Sequence, residues 1–203
     1  LSIEIDRPAR AATIVIQAPT EAAPADGDAI QALGDAFWPL RLARELDDAI
    51  LHLRTNENEI GTWLIQTTGD GELVAAHDDA LAANRDHWLV REITLYLKRT
   101  LKRIDVTSRS IFALIEPGSC FTGTLLELAL AADRSYMLDG QFEGDNRAEA
   151  TVSLTAMNFG AYEMVNGLTR LQSRSLDDPN AVDALATRQG EAMDALTAEA
   201  AGL

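Results

Sequence analysis

Cysteine is nearly absent from this chain of 203 residues, which contains only Cys120. A single thiol excludes a disulfide within the chain and a zinc site built from several cysteines. Sparse cysteine without a disulfide framework fits a reducing compartment. The sequence therefore predicts a cytoplasmic protein.

Basic residues are also few. The chain has 17 lysines and arginines against 32 aspartates and glutamates, which gives a formal net charge of −15. Such a chain repels polyanions overall, and no stripe of basic residues interleaved with aromatics offsets the repulsion. We therefore expect no nucleic-acid partner.

Long apolar runs are missing as well. No stretch reaches the roughly 20 residues that a membrane-spanning helix needs, and the N-terminus alternates like a strand instead of resembling a signal peptide. We therefore expect no membrane association. The chain begins at Leu1 and not at methionine, which favours the interpretation that it is a piece of a longer protein.

The sequence does contain an alternation of apolar strands and amphipathic helices. Two N-terminal strands joined by the turn DRPAR precede a helix whose apolar residues recur at helical spacing. The order strand, helix, strand, helix then continues, which favours an α/β fold with parallel strands and right-handed crossovers. The helix positions expected on the core side are Leu42, Leu46, Ile50 and Leu53 in the first long helix, and Trp88, Ile93, Leu97 and Leu101 in the second.

Composition divides the chain at about residue 176. We predict one domain over residues 1–176, with mobile loops near 19–34 and 139–150, where the sequence is acidic or rich in proline, alanine and glycine. Residues 177–203 are rich in alanine and predict a helical segment that is truncated at its end.

Several familiar motifs of catalysis are incomplete. Gly118 and Gly123 have the spacing of a phosphate-binding loop, but Thr124 and Leu125 stand where that loop needs lysine and then serine or threonine. Ser119 is not part of a G-x-S-x-G turn, which excludes the nucleophile elbow of hydrolases. The three histidines form no metal-binding pair, and we interpret each as a surface or half-buried residue.

The stretch IEPGSCFTGTLLELALAAD, residues 115–133, combines a strand end, a glycine turn and an apolar helix. Unpaired backbone amides at such a turn can bind an anion or a developing oxyanion. Glu127 follows among apolar neighbours, where a raised carboxyl pKa suits a general acid or base. The alternative is that Glu127 faces solvent or interacts with the helix dipole.

Cys120 has two interpretations. Close to a helix N-terminus its thiol pKa could be lowered, which would suit a nucleophile. The alternative, which we favour because no histidine is near it in sequence, is a small residue packed in a tight turn.

Residues 113–138 resemble the crotonase (enoyl-CoA hydratase/isomerase) family, whose members follow a glycine-rich turn with a helix that reads like ELALACD and then a strand. Residues 158–171, NFGAYEMVNGLTRL, resemble the family's LGxxPGxGGTxRL segment. The resemblance covers residues 1 to about 171. It implies a ClpP/crotonase-type spiral of ββα units, incomplete at the C-terminus, and it implies no cofactor, neither a metal nor a redox group.

Within the family, the segments EPGSCF and AMNFGAY resemble the corresponding segments of members that have two crotonase-like halves. Those members are lyases that open the ring of an aromatic acyl-CoA dihydrodiol. The resemblance implies that the chain is the second half of such a lyase and is inactive alone. Its partners would be an aromatic acyl-CoA substrate, the missing N-terminal half and further copies in a homo-oligomer. The alternatives are a non-catalytic half with a packing role, and an enoyl-CoA hydratase or isomerase.

The resemblance also implies site residues. Crotonases stabilise a thioester enolate with two backbone N–H groups, of which one falls on Thr124, next to Gly123, and the other on Ala75 or Ala76. The first catalytic carboxylate falls on Glu127. These residues and Cys120 are the candidates for substrate binding and catalysis.

The family's second carboxylate falls on Ala156, which cannot move a proton, while Glu143 and Glu149 lie outside the pattern. Losing one acid–base residue removes a contribution of roughly 10²–10⁴-fold. We expect this segment to keep the fold and part of the pocket, while the rest of a longer protein carries the chemistry.

Overall fold

The structure, a computed structural model, describes residues 1–203 except for the side chain of Pro179. Its strands are β1 (Ser2–Asp6), β2 (Ala11–Gln17), β3 (Thr62–Thr68), β4 (Ser110–Ile115), β5 (Phe121–Thr122), β6 (Arg134–Met137) and β7 (Val152–Ser153). Its helices are α1 (Gly27–Leu33), α2 (Trp38–Thr55), α3 (Gly71–Ala83), α4 (Trp88–Asp105), α5 (Leu126–Ala131), α6 (Arg170–Arg174), α7 (Pro179–Ala186) and α8 (Ala195–Ala200). Two short 3₁₀ helices span Gly34–Ala36 and Ala156–Phe159.

The main sheet has the strand order β1-β2-β3-β4-β6. β1 and β2 form an antiparallel hairpin, whereas the other neighbouring pairs are parallel. β5 and β7 form a second, two-stranded parallel sheet. The hairpin and the parallel α/β arrangement predicted from the order of elements are confirmed.

The core lies between one face of the main sheet and the helices. Along β2 the side chains of Ala12, Ile14 and Ile16 are at most 1% exposed, while those between them are partly exposed. The four predicted core positions of α2 are at most 4% exposed, so this helix prediction is confirmed. Burying each such aliphatic side chain contributes about 1.5–3 kcal/mol to folding.

Helix α4 differs from its prediction at one position. Ile93, Leu97 and Leu101 are buried, but Trp88 is 60% exposed. Trp88 is the first residue of the helix, and five residues at about 100° each turn it away from the side of Ile93. Its indole N–H instead donates to Gln31 Oε1 at 3.1 Å.

The predicted loop over residues 19–34 contains a helix, which corrects that prediction for residues 27–33. Asp26 caps α1, because its carboxylate accepts a hydrogen bond from the Ala29 amide at 2.9 Å. Ile30 anchors the helix with a fully buried side chain. One capping residue and one buried large apolar residue were too weak a periodic signal to detect in the sequence.

Residues 177–203 pack against β7. Val152 and Met193 exchange two backbone hydrogen bonds of 2.9 Å, and the Gly190 amide donates to Leu154 O. Met193 and Ala198 are buried in the main core. The helical character expected of this segment is present in α7 and α8, while a domain boundary near residue 176 stays a prediction.

Residues 139–150 contain no helix or strand, in keeping with the polar loop expected there, and their mobility stays a prediction. Among the residues that the structure describes, no helix has both the length and the apolar character needed to cross a membrane.

Candidate functional site

The turn between β4 and α5 depends on Gly123. This glycine has a φ of +48°, and an added Cβ would lie 1.9 Å from Asp78 Oδ2 and 2.5 Å from Thr155 Oγ1. Both the left-handed backbone and the contact exclude a side chain at this position. Gly123 therefore brings the backbone of Thr124 directly onto Asp78 of α3.

The amide of Thr124 does not face an open cleft. It donates to Asp78 Oδ2 at 2.8 Å, while the neighbouring Gly123 amide donates to Ser153 O at 2.9 Å. The expectation of an unpaired Thr124 donor is therefore wrong, because the carboxylate of Asp78 accepts its hydrogen bond.

Asp78 is the acceptor at the centre of this buried polar cluster. Its side chain is 1% exposed and accepts hydrogen bonds from the Thr124 amide, the Thr124 hydroxyl and the Thr155 hydroxyl. The Tyr162 hydroxyl lies 2.9 Å from Thr124 Oγ1. Burial raises the pKa of Asp78 to about 7, and the hydrogen bonds offset only part of that rise.

Glu127 also lies inside the protein, 1% exposed, so the alternative of a solvent-facing position is wrong. Asn158 Nδ2 donates to Glu127 Oε1 and Arg170 Nη1 donates to Glu127 Oε2, both at 2.7 Å. Burial raises the pKa of Glu127, and the charge of Arg170 opposes that rise. Both carboxylate oxygens are thus held by protein groups.

Arg170 joins two acidic side chains. Besides Glu127, it binds Asp105 at the end of α4 through Nε at 3.0 Å and Nη2 at 2.7 Å. Such a fork geometry gives strong, oriented hydrogen bonds. The pairing fixes α6 against α4 and α5.

Comparison with known proteins adds sequence and fold relatives. No family model matches the chain. Over 199 residues, 98% of its length, the chain is 49% identical to the benzoyl-CoA-dihydrodiol lyase of Aromatoleum evansii, and it spans 35% of that protein's length. The enoyl-CoA hydratase of Bacillus anthracis matches 99% of the chain with a TM-score of 0.61 at 16% identity, covering 67% of that structure.

The chain has the crotonase fold. The enoyl-CoA hydratase of Bacillus halodurans supports the same conclusion, with a TM-score of 0.58 at 15% identity over 99% of this chain and 70% of that one. The TM-scores establish a shared fold. Sequence identities this low do not establish a shared reaction, which has to be argued from the residues of the site. The crotonase-type α/β fold expected from the sequence resemblance is confirmed.

The second pair of candidate donors lies within a regular helix. Ala75 and Ala76 are the fifth and sixth residues of α3, where backbone amides donate to carbonyls four residues earlier. The expected oxyanion donor at Ala75 or Ala76 is therefore not free to bind a thioester. In this chain helix α3 begins at Gly71, so both alanines lie beyond its first turn.

His77 corrects the expectation of a surface or half-buried histidine, since it is 3% exposed. Its Nδ1–H donates to Leu73 O at 2.8 Å. The imidazole ring stacks on Phe37, with the ring centroids 5.8 Å apart. Burial lowers the pKa of His77, which favours the neutral form expected of a histidine in the core.

Cys120 is a packed residue, as the favoured interpretation of the sequence predicted. It is 2% exposed, its amide donates to Thr67 Oγ1 at 2.8 Å, and burial raises the pKa of its thiol. A protonated, buried thiol is a poor nucleophile.

The position implied for the second carboxylate and the two nearby glutamates lie in different settings. Ala156 begins the second 3₁₀ helix, while Glu143 and Glu149 are exposed in the polar loop. Among the described residues, no group of three or more histidine, cysteine, aspartate or glutamate side chains is arranged to hold a metal ion.

Sequence reasoning missed Asp78, Asn158, Tyr162 and Arg170. A signal for Asp78 was present, because Val74, Asp78 and Leu81 recur at helical spacing on the buried side of α3. An acid within an apolar stripe needs buried partners. The identity of those partners depends on the tertiary fold, which brings residues 124 and 155 to this helix.

Proposed function

We propose that this chain is part of a benzoyl-CoA-dihydrodiol lyase of aerobic benzoate breakdown. Such an enzyme adds water to 2,3-dihydro-2,3-dihydroxybenzoyl-CoA, opens its ring and gives 3,4-dehydroadipyl-CoA semialdehyde and formate. The observation that supports this most strongly is the 49% identity over 98% of the chain to the lyase of Aromatoleum evansii. The proposal includes an aromatic acyl-CoA as substrate.

Within this enzyme we assign the segment a structural role, and the remainder of the longer protein the chemistry. The Thr124 amide and the Glu127 carboxylate are the groups that a crotonase-type mechanism would use, and protein groups occupy both. Ala156 stands where a second proton-transfer group was expected. A homo-oligomer and a cytoplasmic location belong to the same proposal.

An enoyl-CoA hydratase or isomerase is the second candidate, favoured by the similarity in fold to enoyl-CoA hydratases of Bacillus anthracis and Bacillus halodurans. It ranks below the lyase because the fold likeness rests on identities under 20%.

The test uses the complete protein that contains this segment. We expect it to release formate and a semialdehyde CoA thioester from 2,3-dihydro-2,3-dihydroxybenzoyl-CoA, as followed by a formate dehydrogenase assay and mass spectrometry. Absence of both products, together with rapid hydration of crotonyl-CoA, would instead favour the hydratase. Full lyase turnover by the 203 residues alone would reject the structural role of this segment.

A further inference from the structure

Three hydrogen-bond donors converge on one carboxylate inside the protein. The Thr124 amide and the Thr155 hydroxyl lie 2.8 Å from Asp78 Oδ2, and the Thr124 hydroxyl donates to Oδ1. Within the described part of the chain, no lysine, arginine or histidine forms an ion pair with Asp78. The carboxylate is thus bound by neutral donors alone.

The donors are held in place by contacts that do not involve Asp78. The Gly123 carbonyl accepts a hydrogen bond from Asn158 Nδ2 at 2.9 Å, which fixes the peptide group that carries the Thr124 amide. The Thr155 backbone is fixed because its amide donates to Asn158 Oδ1 at 2.9 Å. The Tyr162 hydroxyl lies 2.9 Å from Thr124 Oγ1 and can donate to it, so that the threonine proton is directed at the carboxylate.

We propose that the Thr124 amide and the hydroxyls of Thr124 and Thr155 form a receptor for small carboxylates, and that Asp78 is its built-in ligand. Removing the carboxylate while keeping the donors should open the receptor to a free carboxylate. Formate replaces the group lost in Asp78→Ala, and acetate replaces the group lost in Asp78→Gly.

The experiment measures thermal unfolding of the complete protein at pH 5 in sodium formate and in sodium chloride at equal ionic strength, because burial at this site favours the protonated acid, which is scarce at neutral pH. For Asp78→Ala we expect formate to raise the unfolding midpoint by about 3 °C or more over chloride, since a ligand that binds only the folded state stabilises it. Saturation-transfer NMR on the formate proton detects the same binding directly, without any assay of turnover.

Two control variants define the site. Asp78→Asn fills the receptor with a neutral group of the same size and should show no formate effect. Asp78→Ala combined with Thr155→Val lacks one donor and should lose most of the effect. A formate effect that is equal in Asp78→Asn, or that survives loss of the Thr155 hydroxyl, would overturn the proposal.

If Asp78→Ala does not fold in chloride, the yield of folded protein after refolding becomes the measurement. A higher yield in formate than in chloride supports the receptor, and equal yields in the two salts reject it. Formate is also a product of the proposed lyase, so the same comparison is made with Asp78→Asn, in which a product site elsewhere would respond equally. A formate effect confined to Asp78→Ala therefore tests the receptor separately from the proposed function.

Discussion

Arg170 and Glu127 form an ion pair in which both side chains are 2% exposed, with Nη1 2.7 Å from Oε2. The glutamate that sequence resemblance places at a catalytic position therefore joins the segments that precede and follow the polar loop. Its cationic partner also binds Asp105, so one guanidinium serves two carboxylates.

Replacing Arg170 by alanine should lower the free energy of unfolding by about 3–5 kcal/mol, because the buried carboxylate of Glu127 and the partly buried one of Asp105 would both lose their partner. Urea unfolding measures the change. The matched control is Arg188→Ala, which removes an exposed pair with Glu191 and should have little effect. Similar losses for the two variants would contradict the assignment of Arg170 as a buried anchor.

Replacing Glu127 by glutamine in the complete enzyme should reduce turnover less than tenfold, equivalent to about 1.4 kcal/mol in the activation barrier. The reason is that both oxygens of Glu127 bind protein groups. Steady-state kinetics on the dihydrodiol thioester provides the measurement. A thousandfold drop in a correctly folded variant would place the active site in this segment.

Replacing Gly123 by alanine should destabilise the protein by more than about 3 kcal/mol, since the new methyl group would collide with Asp78 and Thr155 at a left-handed backbone position. Gly140 is the control. It also has a positive φ, of +94°, but an added Cβ meets nothing within 4 Å, so Gly140→Ala should cost only about 1 kcal/mol of strain. Equal effects in chemical unfolding would show that the Gly123 contact is unimportant.

Stability should depend on the ionisation of Asp78. Its folded pKa of about 7 lies above the ordinary value of 3.8, so the folded state binds the proton more tightly than the unfolded state does. The Asp78 contribution to stability is therefore fully present below about pH 4 and is lost as the pH rises to about 7, with a slope of up to about 1.4 kcal/mol per pH unit.

The Asp78→Asn variant isolates this effect, because it keeps the side-chain shape and does not titrate. Its stability relative to the native protein should increase between pH 4 and pH 7 and then level off. Urea unfolding at several pH values tests this, and a difference that is constant with pH would disprove the assigned titration.

Cys120 should resist thiol reagents in the native protein, because it is buried and its thiol pKa is raised. Peptide mass spectrometry after iodoacetamide treatment should find it unmodified until urea is added. Modification in the native state at the rate of the unfolded chain would show that the turn is open.

Local patterns predicted much of the fold, and the reasons are visible in particular residues. Helix α2 was predicted because Leu42 and Leu46 repeat on one buried side over 18 residues. Helix α1 was missed because seven residues with one buried isoleucine give no periodicity. The parallel sheet followed from the order of elements.

The candidate site was less predictable, because its properties depend on contacts between distant residues. The sequence singled out Thr124 and Glu127, and both lie in the buried cluster. Their partners Asp78 and Arg170 are 46 and 43 residues away, and only the folded chain shows that these partners occupy both groups. Resemblance to a family supplies the location of a site, and tertiary contacts decide whether that site is open.

The paired backbones of Val152 and Met193 affect how the chain can be shortened. β7 has β5 on one side and the segment around Met193 on the other, so it has no open edge along Val152. Deleting residues 177–203 would expose a strand edge and a patch of core together, which is the surface that promotes aggregation. The alanine-rich segment thus shields the edge of the β5–β7 sheet from solvent and from other chains.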